Sequence, residues 1–449
     1  MKIRDLFDTV NSIKDNHRVR KVAVNSSWIM LDKIYALVLG VFVTSVIARY
    51  FGPDQYGLFS YAFSLVSLFS VFSTLGLETL SVKTIVEKEE NEGTILGTSL
   101  ILRIIGSVFL VFAAYVTVQI IEPEDQTLKI MVLILSLLIM LKSFEVIEYW
   151  IQANHKAKIS AKIRIISFTI ISALKVFLVM QKGTLINYSF IYLFEAAFIS
   201  FFLILAYRKV SDRKEKWHFK FTYAKMILSQ SWYIMMSGMM ITLFSKIDQI
   251  MLGSMMPTKT ELGIYSAALK ITTMWYFIPI AIITSFKPIV MNSNVDSKIT
   301  DERTQLLYNI VTWVGIAFGV VIALFSNIIV SVIFGPDFAK SASVLNISIW
   351  AGTFATLGSA RSLWLIKEGL QKYSLYSTAI GFIVNVILNY FMIPVIGAYG
   401  AALATLITQI IVNVVVFLFF KETRKSSFMI IKSFNIYKVI KSVKEIKHM

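Results

Sequence analysis

Lys246 and Asp248 are the residues whose types and setting point first to chemistry. They stand in Ser245-Lys246-Ile247-Asp248-Gln249-Ile250-Met251-Leu252, late in an apolar run from about Ile227 to Met256. That run is long enough to span a bilayer as a helix. Ionisable side chains inside such a run are costly, and they persist when they face a bundle interior or a wet cavity. Residues two apart point to different sides of a helix, so the pair cannot simply neutralise itself. Each needs a partner or a cavity from other helices. One reading is a structural ion pair tying helices together. The sharper reading is that this helix lines a transport path.

Further charges sit in other apolar runs. Asp32 and Lys33 lie in the first, Lys175 in the fifth, Glu195 in the sixth and Lys270 in the eighth. Lys33, Lys175, Lys246 and Lys270 are deep, and several cations around one cavity attract an anion such as a phosphate. Glu78, Arg103 and Arg361 lie close enough to a span end to snorkel out. Lys142, Glu145 and Glu148 read as interfacial. Asn25, Trp28 and Asp32 share one helix face, as do Gly238, Thr242, Ser245 and Gln249, and both faces read as cavity lining. The stripes Ser377-Gly381-Asn385-Asn389 and Gln409-Asn413 read as helix packing. Trp232, Tyr233, Trp275, Tyr276, Trp350 and Trp364 have rings that stack on sugars, although interfacial anchoring explains most of them.

The elements that must position these residues are transmembrane helices. The 449 residues are 56% hydrophobic and 16% charged, with a mean hydropathy of +0.70, which places the chain among all-α polytopic membrane proteins. With no cysteine there is no disulfide and no thiolate metal site. His17, His155, His218 and His448 all fall outside the apolar runs, so no histidine metal cluster is expected. Twelve runs are read, at about 23–48, 58–82, 97–121, 128–150, 161–181, 187–207, 227–256, 264–290, 306–333, 342–366, 374–394 and 398–420. The first has full spanning length after a polar start, so no cleavable signal peptide is expected.

The formal charge of +17 invites a nucleic-acid partner, but its placement argues against one. Starting from the N-terminus, every second connection is basic, as in loops 152–164 and 208–225 and the tail after Phe420. The connections between carry at most one basic residue each. That is the positive-inside pattern, with both termini cytoplasmic in a multi-pass protein. The expected organisation is a cytoplasmic amphipathic N-terminus at 1–22, a first lobe of six helices at 23–207 and a cytoplasmic linker at 208–226. A second six-helix lobe follows at 227–420, then a basic cytoplasmic tail at 421–449 that suits anionic membrane lipids. The lobes repeat weakly. Gly57-Leu58-Phe59-Ser60-Tyr61-Ala62 and Gly263-Ile264-Tyr265-Ser266-Ala267-Ala268 share the order Gly–apolar–aromatic–Ser–x–Ala after the first helix of each half. Equivalent positions lie on the same membrane side, so the pseudo-repeat is parallel. Tyr399-Gly400-Ala401-Ala402 echoes it a third time.

No P-loop, HExxH, GxSxG or dinucleotide fingerprint occurs, and no catalytic residues are expected. Three stretches carry a family likeness: Arg49-Tyr50-Phe51-Gly52-Pro53-Asp54-Gln55-Tyr56-Gly57, Ser245 to Leu252, and Val395-Ile396-Gly397-Ala398-Tyr399-Gly400-Ala401-Ala402. In these the chain resembles the Wzx-type flippases of the MOP superfamily, which also holds the MATE exporters and the lipid II flippases. The resemblance implies translocation of an undecaprenyl-diphosphate-linked oligosaccharide from the cytoplasmic to the outer leaflet of a bacterial inner membrane, by alternating access. The product class is O-antigen, lipopolysaccharide or capsule-type polysaccharide, and the implied partners are a polysaccharide polymerase and chain-length machinery. It further implies a central cationic cavity. Lys33, Lys175, Lys246, Lys270, Arg49 and Arg103 are its substrate-binding candidates, and Asp248, Asp32 and Glu195 its ion-coupling or counter-ion candidates. No cofactor or metal is expected; proton gradient, sodium gradient and membrane potential all stay open as the driving force. The lipid II flippases have two further helices not found here. The main alternative is a MATE-like cation-coupled antiporter, whose cavity for organic cations should be acidic. A major-facilitator transporter lacks support at Glu87-Lys88-Glu89-Glu90-Asn91-Glu92-Gly93, and a glycan polymerase would need a large external loop.

Overall fold

Long apolar stretches with few breakers fold as helices that satisfy their own backbone hydrogen bonds, the condition for crossing lipid. The structure, a computed structural model, describes residues 17–211, 215–291 and 297–435. Among these, all regular structure is helical. Most of the expected N-terminal surface helix at 1–22, the far end of the basic tail and part of the linker fall outside the described residues.

Helix α1, His17–Thr74, is broken at Gly52 (φ 71°, ψ 173°) just before Pro53. A left-handed break at Leu75–Gly76 separates it from α2, Leu77–Glu87. Then come α3 (Glu92–Ile121) and α4 (Gln126–Leu141), a 3₁₀ turn over Lys142–Val146, and α5 (Ile147–Ala153). Helices α6 (Ala157–Met180), α7 (Leu185–Val210) and α8 (Phe221–Met255) follow. Beyond them lie α9 (Thr260–Met274), α10 (Phe277–Val290), α11 (Ser297–Phe334) and α12 (Ser341–Lys367). Helix α13, Lys372–Ile410, is broken at Ile396–Gly397. A π-turn leads into α14, Val416–Phe419, and the last helix is α15, Arg424–Ser433.

Nine helical runs among the described residues are long and apolar enough to cross a membrane. The breaks at Gly52 and Gly397 each divide one run, which gives eleven segments. Helix α12 is the twelfth by length. It is rich in Ser, Thr and Gly, and most of its side chains are buried. It packs against α9, α10, α11 and α13, so it needs no lipid-facing apolar surface. The outer faces of other helices do present such surface: Phe112 is 68% exposed and Leu324 75%. The protein is an all-α polytopic membrane protein.

The chain forms two compact units. One comprises residues up to Phe51 and Leu58–Thr242, the other Gly52–Gly57 and the residues from Leu243 onward. The division thus falls inside α8. Tyr223, Ala224 and Ile227 at the start of α8 belong to the core of the first unit, with Leu77, Ile95, Val146, Trp150 and Leu203. Hydroxyls join its helices: Ser107 Oγ is 2.7 Å from Ser73 Oγ and 3.2 Å from Ser143 Oγ. In lipid such interhelical bonds and close packing hold helices together. Part of the expected linker lies along α3. His218 Nε2 is 2.9 Å from Thr94 Oγ1, and Lys220 N donates to Thr98 Oγ1 at 3.1 Å. Gly97 permits this, since a Cβ there would lie 2.6 Å from the His218 backbone nitrogen. The Lys220 ammonium on Glu90, with the Asn91 amide, holds the Glu90 carboxyl below the usual carboxylate range.

In the second unit Ile283, Val290, Leu307, Tyr308, Val311, Leu357 and Ala360 form a core that also takes Met429 and Ile430 of α15. The first part of the expected tail is therefore a docked helix. Its Ser426 Oγ lies 2.9 Å from Tyr308 Oη and accepts from Arg361 Nε at 3.2 Å, and its Ser433 Oγ is 2.6 Å from Thr312 Oγ1.

Candidate functional site

Asp248 on α8 is buried in the second unit, 5% exposed. Its Oδ2 accepts from the Tyr265 hydroxyl of α9 and from Thr405 Oγ1 of α13 at 3.2 Å, and its Oδ1 accepts from the Gln249 amide at 2.8 Å. A carboxylate is acceptor-only when ionised and becomes a donor when protonated. A proton on Asp248 Oδ2 would therefore ask one of the Tyr265 and Thr405 hydroxyls to turn and accept, and these belong to two other helices. Lys246, two residues earlier, is half-buried on a different side of α8, with Nζ 3.5 Å from Gln249 Oε1. Lys270 on α9 is exposed.

Residues of the three stretches of the family likeness, Asp54, Asp248 and Ala398, each contact α9 in this same unit. Thr260 Oγ1 donates to Asp54 Oδ1 at 3.1 Å, and the Ala398 amide donates to Glu261 Oε2 at 2.9 Å. Gly57 and Gly263, the paired glycines of the repeat, make this approach possible. A Cβ on Gly57 would lie 2.8 Å from the Gly263 nitrogen, and one on Gly263 would lie 2.7 Å from the Pro53 carbonyl carbon. Gly397, at φ 54°, turns α13 so that the Glu261 carboxylate caps its second half.

In the first unit Lys175 on α6 is buried, 3.9 Å from Glu195 Oε2 on α7, and its ammonium sits 3.8 Å above the Tyr192 ring. This pairing and cation–π contact engage the Lys175 charge locally. Asp32 is half-buried and within electrostatic reach of Arg164, while Lys33 and Arg49 are exposed. Asn25 accepts from the Ala157 amide at 2.8 Å and so caps α6. Trp275 and Trp364 are buried.

Arg103 is brought together with residues that sequence reasoning set aside. It lines a cavity of about 450 Å³ shared with Glu78, Glu145, Glu148, Tyr149 and Arg164. Arg164 Nη2 donates to Glu148 Oε1 at 3.0 Å and lies 3.8 Å from Glu145 Oε1. The 3₁₀ turn at Lys142–Val146 redirects the chain so that α5 presents Glu148 and Tyr149 to this cavity. Helix periodicity in the sequence carries no sign of that turn. Among the described residues no three His, Cys, Asp or Glu side chains gather as a metal site.

Two family profiles match. Polysaccharide biosynthesis protein covers residues 22–293, and MatE covers residues 234–391. The first spans more than half of the chain, so the protein belongs to the polysaccharide biosynthesis protein family. No curated protein sequence matches it significantly. Among solved structures, the lipid II flippase MurJ in an inward closed conformation aligns with a TM-score of 0.71 at 18% identity, over 92% of this chain and 91% of that one. An inward-facing MATE multidrug transporter of the MOP superfamily gives 0.68 at 14%, over 88% and 95%. The Vibrio cholerae MATE transporter VcmN gives 0.58 at 12%, over 92% and 98%. The fold is that of the MOP superfamily, and these relatives are transporters and flippases.

Proposed function

We propose that the protein is a flippase moving an undecaprenyl-diphosphate-linked oligosaccharide repeat unit from the cytoplasmic to the outer leaflet of a bacterial inner membrane, for O-antigen or capsule-type polysaccharide. The observation that carries this reading is the family match over residues 22–293. Membership of a polysaccharide biosynthesis family joined to a transporter fold calls for a carrier of glycan. The lysines at 33, 246 and 270 support an anionic lipid-diphosphate cargo. A polymerase and chain-length machinery would receive that cargo. Purified protein in vesicles with a defined lipid-linked donor tests this. The donor's glycan should become accessible on the opposite leaflet only when the protein is present. The MatE match over 234–391 favours a second reading, cation-coupled export of an organic cation; uptake of a fluorescent cation by the same vesicles, without glycan movement, would select it.

Both termini face the cytoplasm in this scheme. Cysteines placed after Lys209 and after Glu422, in a chain with no native cysteine, should stay unlabelled by an impermeant thiol reagent in intact cells. External labelling at either point would reverse the topology.

Asp248 is the coupling group we favour, because its protonation would be felt on α8, α9 and α13 together. Flipping by Asp248→Asn in vesicles should lose its response to an imposed pH gradient and keep its response to voltage. A wild type that responds to voltage alone would leave Asp248 a structural acceptor.

A further inference from the structure

Arg103 does not behave as a snorkelling side chain. It is only 5% exposed, so its guanidinium stays inside the first unit rather than reaching an interface. Nη1 donates to the Tyr149 hydroxyl at 3.3 Å, while Nε finds no partner among the described residues. No described carboxylate forms an ion pair with Arg103 within 4.0 Å. A buried guanidinium left this way has no direct ion-pair partner and keeps a spare donor, which is costly to leave unmade.

The same cavity holds opposite charge that is also not spent. Glu148 is occupied by Ser160 Oγ at 2.6 Å and by Arg164 Nε and Nη2. Glu78 is different: its Oε1 accepts from Gln152 Nε2 at 2.7 Å, and no described cation pairs with it. Glu78 is exposed, whereas Arg103 and Tyr149 are buried. With Arg164 engaged by Glu145 and Glu148, the cavity keeps one buried cation, Arg103, and one exposed carboxylate, Glu78, without an ion-pair partner among the described residues. A plain anion on Arg103 would share the cavity with Glu78, Glu145 and Glu148, and a plain cation at Glu78 would share it with Arg103. A group with an oxyanion and an ammonium a few bonds apart satisfies both, since Arg103 offers a planar fork to an oxyanion and Glu78 accepts from an ammonium. The volume of about 450 Å³ lies within the range of small-ligand sites.

We infer that this cavity binds a zwitterionic group, an oxyanion on Arg103 and an ammonium at Glu78. Two sources share that chemistry: the phosphoethanolamine head of a membrane lipid, and an amino sugar bearing an acid group in the cargo. The second source rests on the flippase reading; the first does not.

The test uses the full chain, purified in detergent free of ethanolamine lipid, with calorimetric titration of O-phosphoethanolamine, inorganic phosphate and ethanolamine. Phosphoethanolamine should bind at least tenfold more tightly than either fragment. Arg103→Gln should reduce it to the level of ethanolamine, and Glu78→Gln to the level of phosphate. Arg103 is buried and its variant can fail to fold; Glu78 is exposed, and loss of the ammonium preference in Glu78→Gln is then sufficient. Equal binding of phosphate and phosphoethanolamine overturns the inference, as does binding of none of the three. Nanodiscs of ethanolamine lipid that block the titration, where glycerol-headed anionic lipid does not, identify the lipid as the source. Binding of glucosamine 6-phosphate without such block identifies the sugar. A protein that binds phosphoethanolamine but flips no glycan keeps this site and loses the flippase reading.

Discussion

A valine at position 263 should leave little folded protein to purify. Gly263 lies where the chain segment Gly52–Gly57 meets the start of α9, and a Cβ there would overlap the Pro53 carbonyl oxygen and approach the Pro53 Cα to 3.1 Å. Those are backbone atoms, so no side-chain rotation relieves the clash. The reciprocal position is equally tight, since a Cβ on Gly57 would lie 2.9 Å from the Lys259 carbonyl carbon. Separating the two segments would also stretch the Thr260–Asp54 hydrogen bond. Overpacking in a dense core costs about 1–3 kcal/mol and occasionally more, and a branched side chain against backbone belongs at the upper end. Gly40→Ala is the comparison. The Cβ at Gly40 meets only Phe168 Cζ at 3.6 Å, an ordinary contact, on a helix that gains up to about 1 kcal/mol from the exchange. Size-exclusion yield and melting temperature in detergent should fall sharply for Gly263→Val and hold or rise for Gly40→Ala. Similar behaviour of the two variants would mean that the repeat glycines do not hold this junction.

The repeat itself was visible in sequence, because glycine followed by an apolar residue and an aromatic keeps its order at both positions. Its physical purpose was not, because close approach is a tertiary property. The long apolar helices were legible for a simpler reason: lipid demands an apolar helix that bonds its own backbone, and that demand is written residue by residue. Breaks within spans were harder. Leu75–Gly76, the 3₁₀ turn at Lys142–Val146 and the interruption between Met274 and Phe277 all fall inside stretches read as continuous. Each lies within a run that stays apolar enough overall to be read as one span, so hydropathy does not register them. The ionic cavity around Arg103 follows from two of those breaks. Sequence position put Glu145, Glu148 and Arg164 near span ends, where charge is ordinarily solvated; only the folded arrangement puts them beside a buried guanidinium. Helix α15 escaped notice because its docked face mixes three serines, Ser426, Ser427 and Ser433, with Met429 and Ile430 rather than presenting a long apolar stripe.

Lys246→Ala should abolish most export while the protein still inserts and folds. The charge of Lys246 sits on α8 beside Asp248, whose oxygens are already taken by Tyr265, Thr405 and the Gln249 amide. Those donors would hold Asp248 in place without the lysine, so the variant should keep its melting temperature within a few degrees. What the proposed flippase would lose is a charge-assisted contact to its diphosphate cargo, worth about 1.5–3 kcal/mol. At about 1.4 kcal/mol per tenfold, that is roughly a 10- to 150-fold fall in affinity for the lipid-linked donor. Lys246→Arg should restore part of it, because a point contact depends on charge more than on shape. The decisive reading is the pair of measurements, stability and flipping rate, made on both variants. Loss of stability in Lys246→Ala, recovered by arginine along with activity, would make Lys246 a strut between helices. Unchanged stability with lost flipping would place its ammonium on the path of the anion.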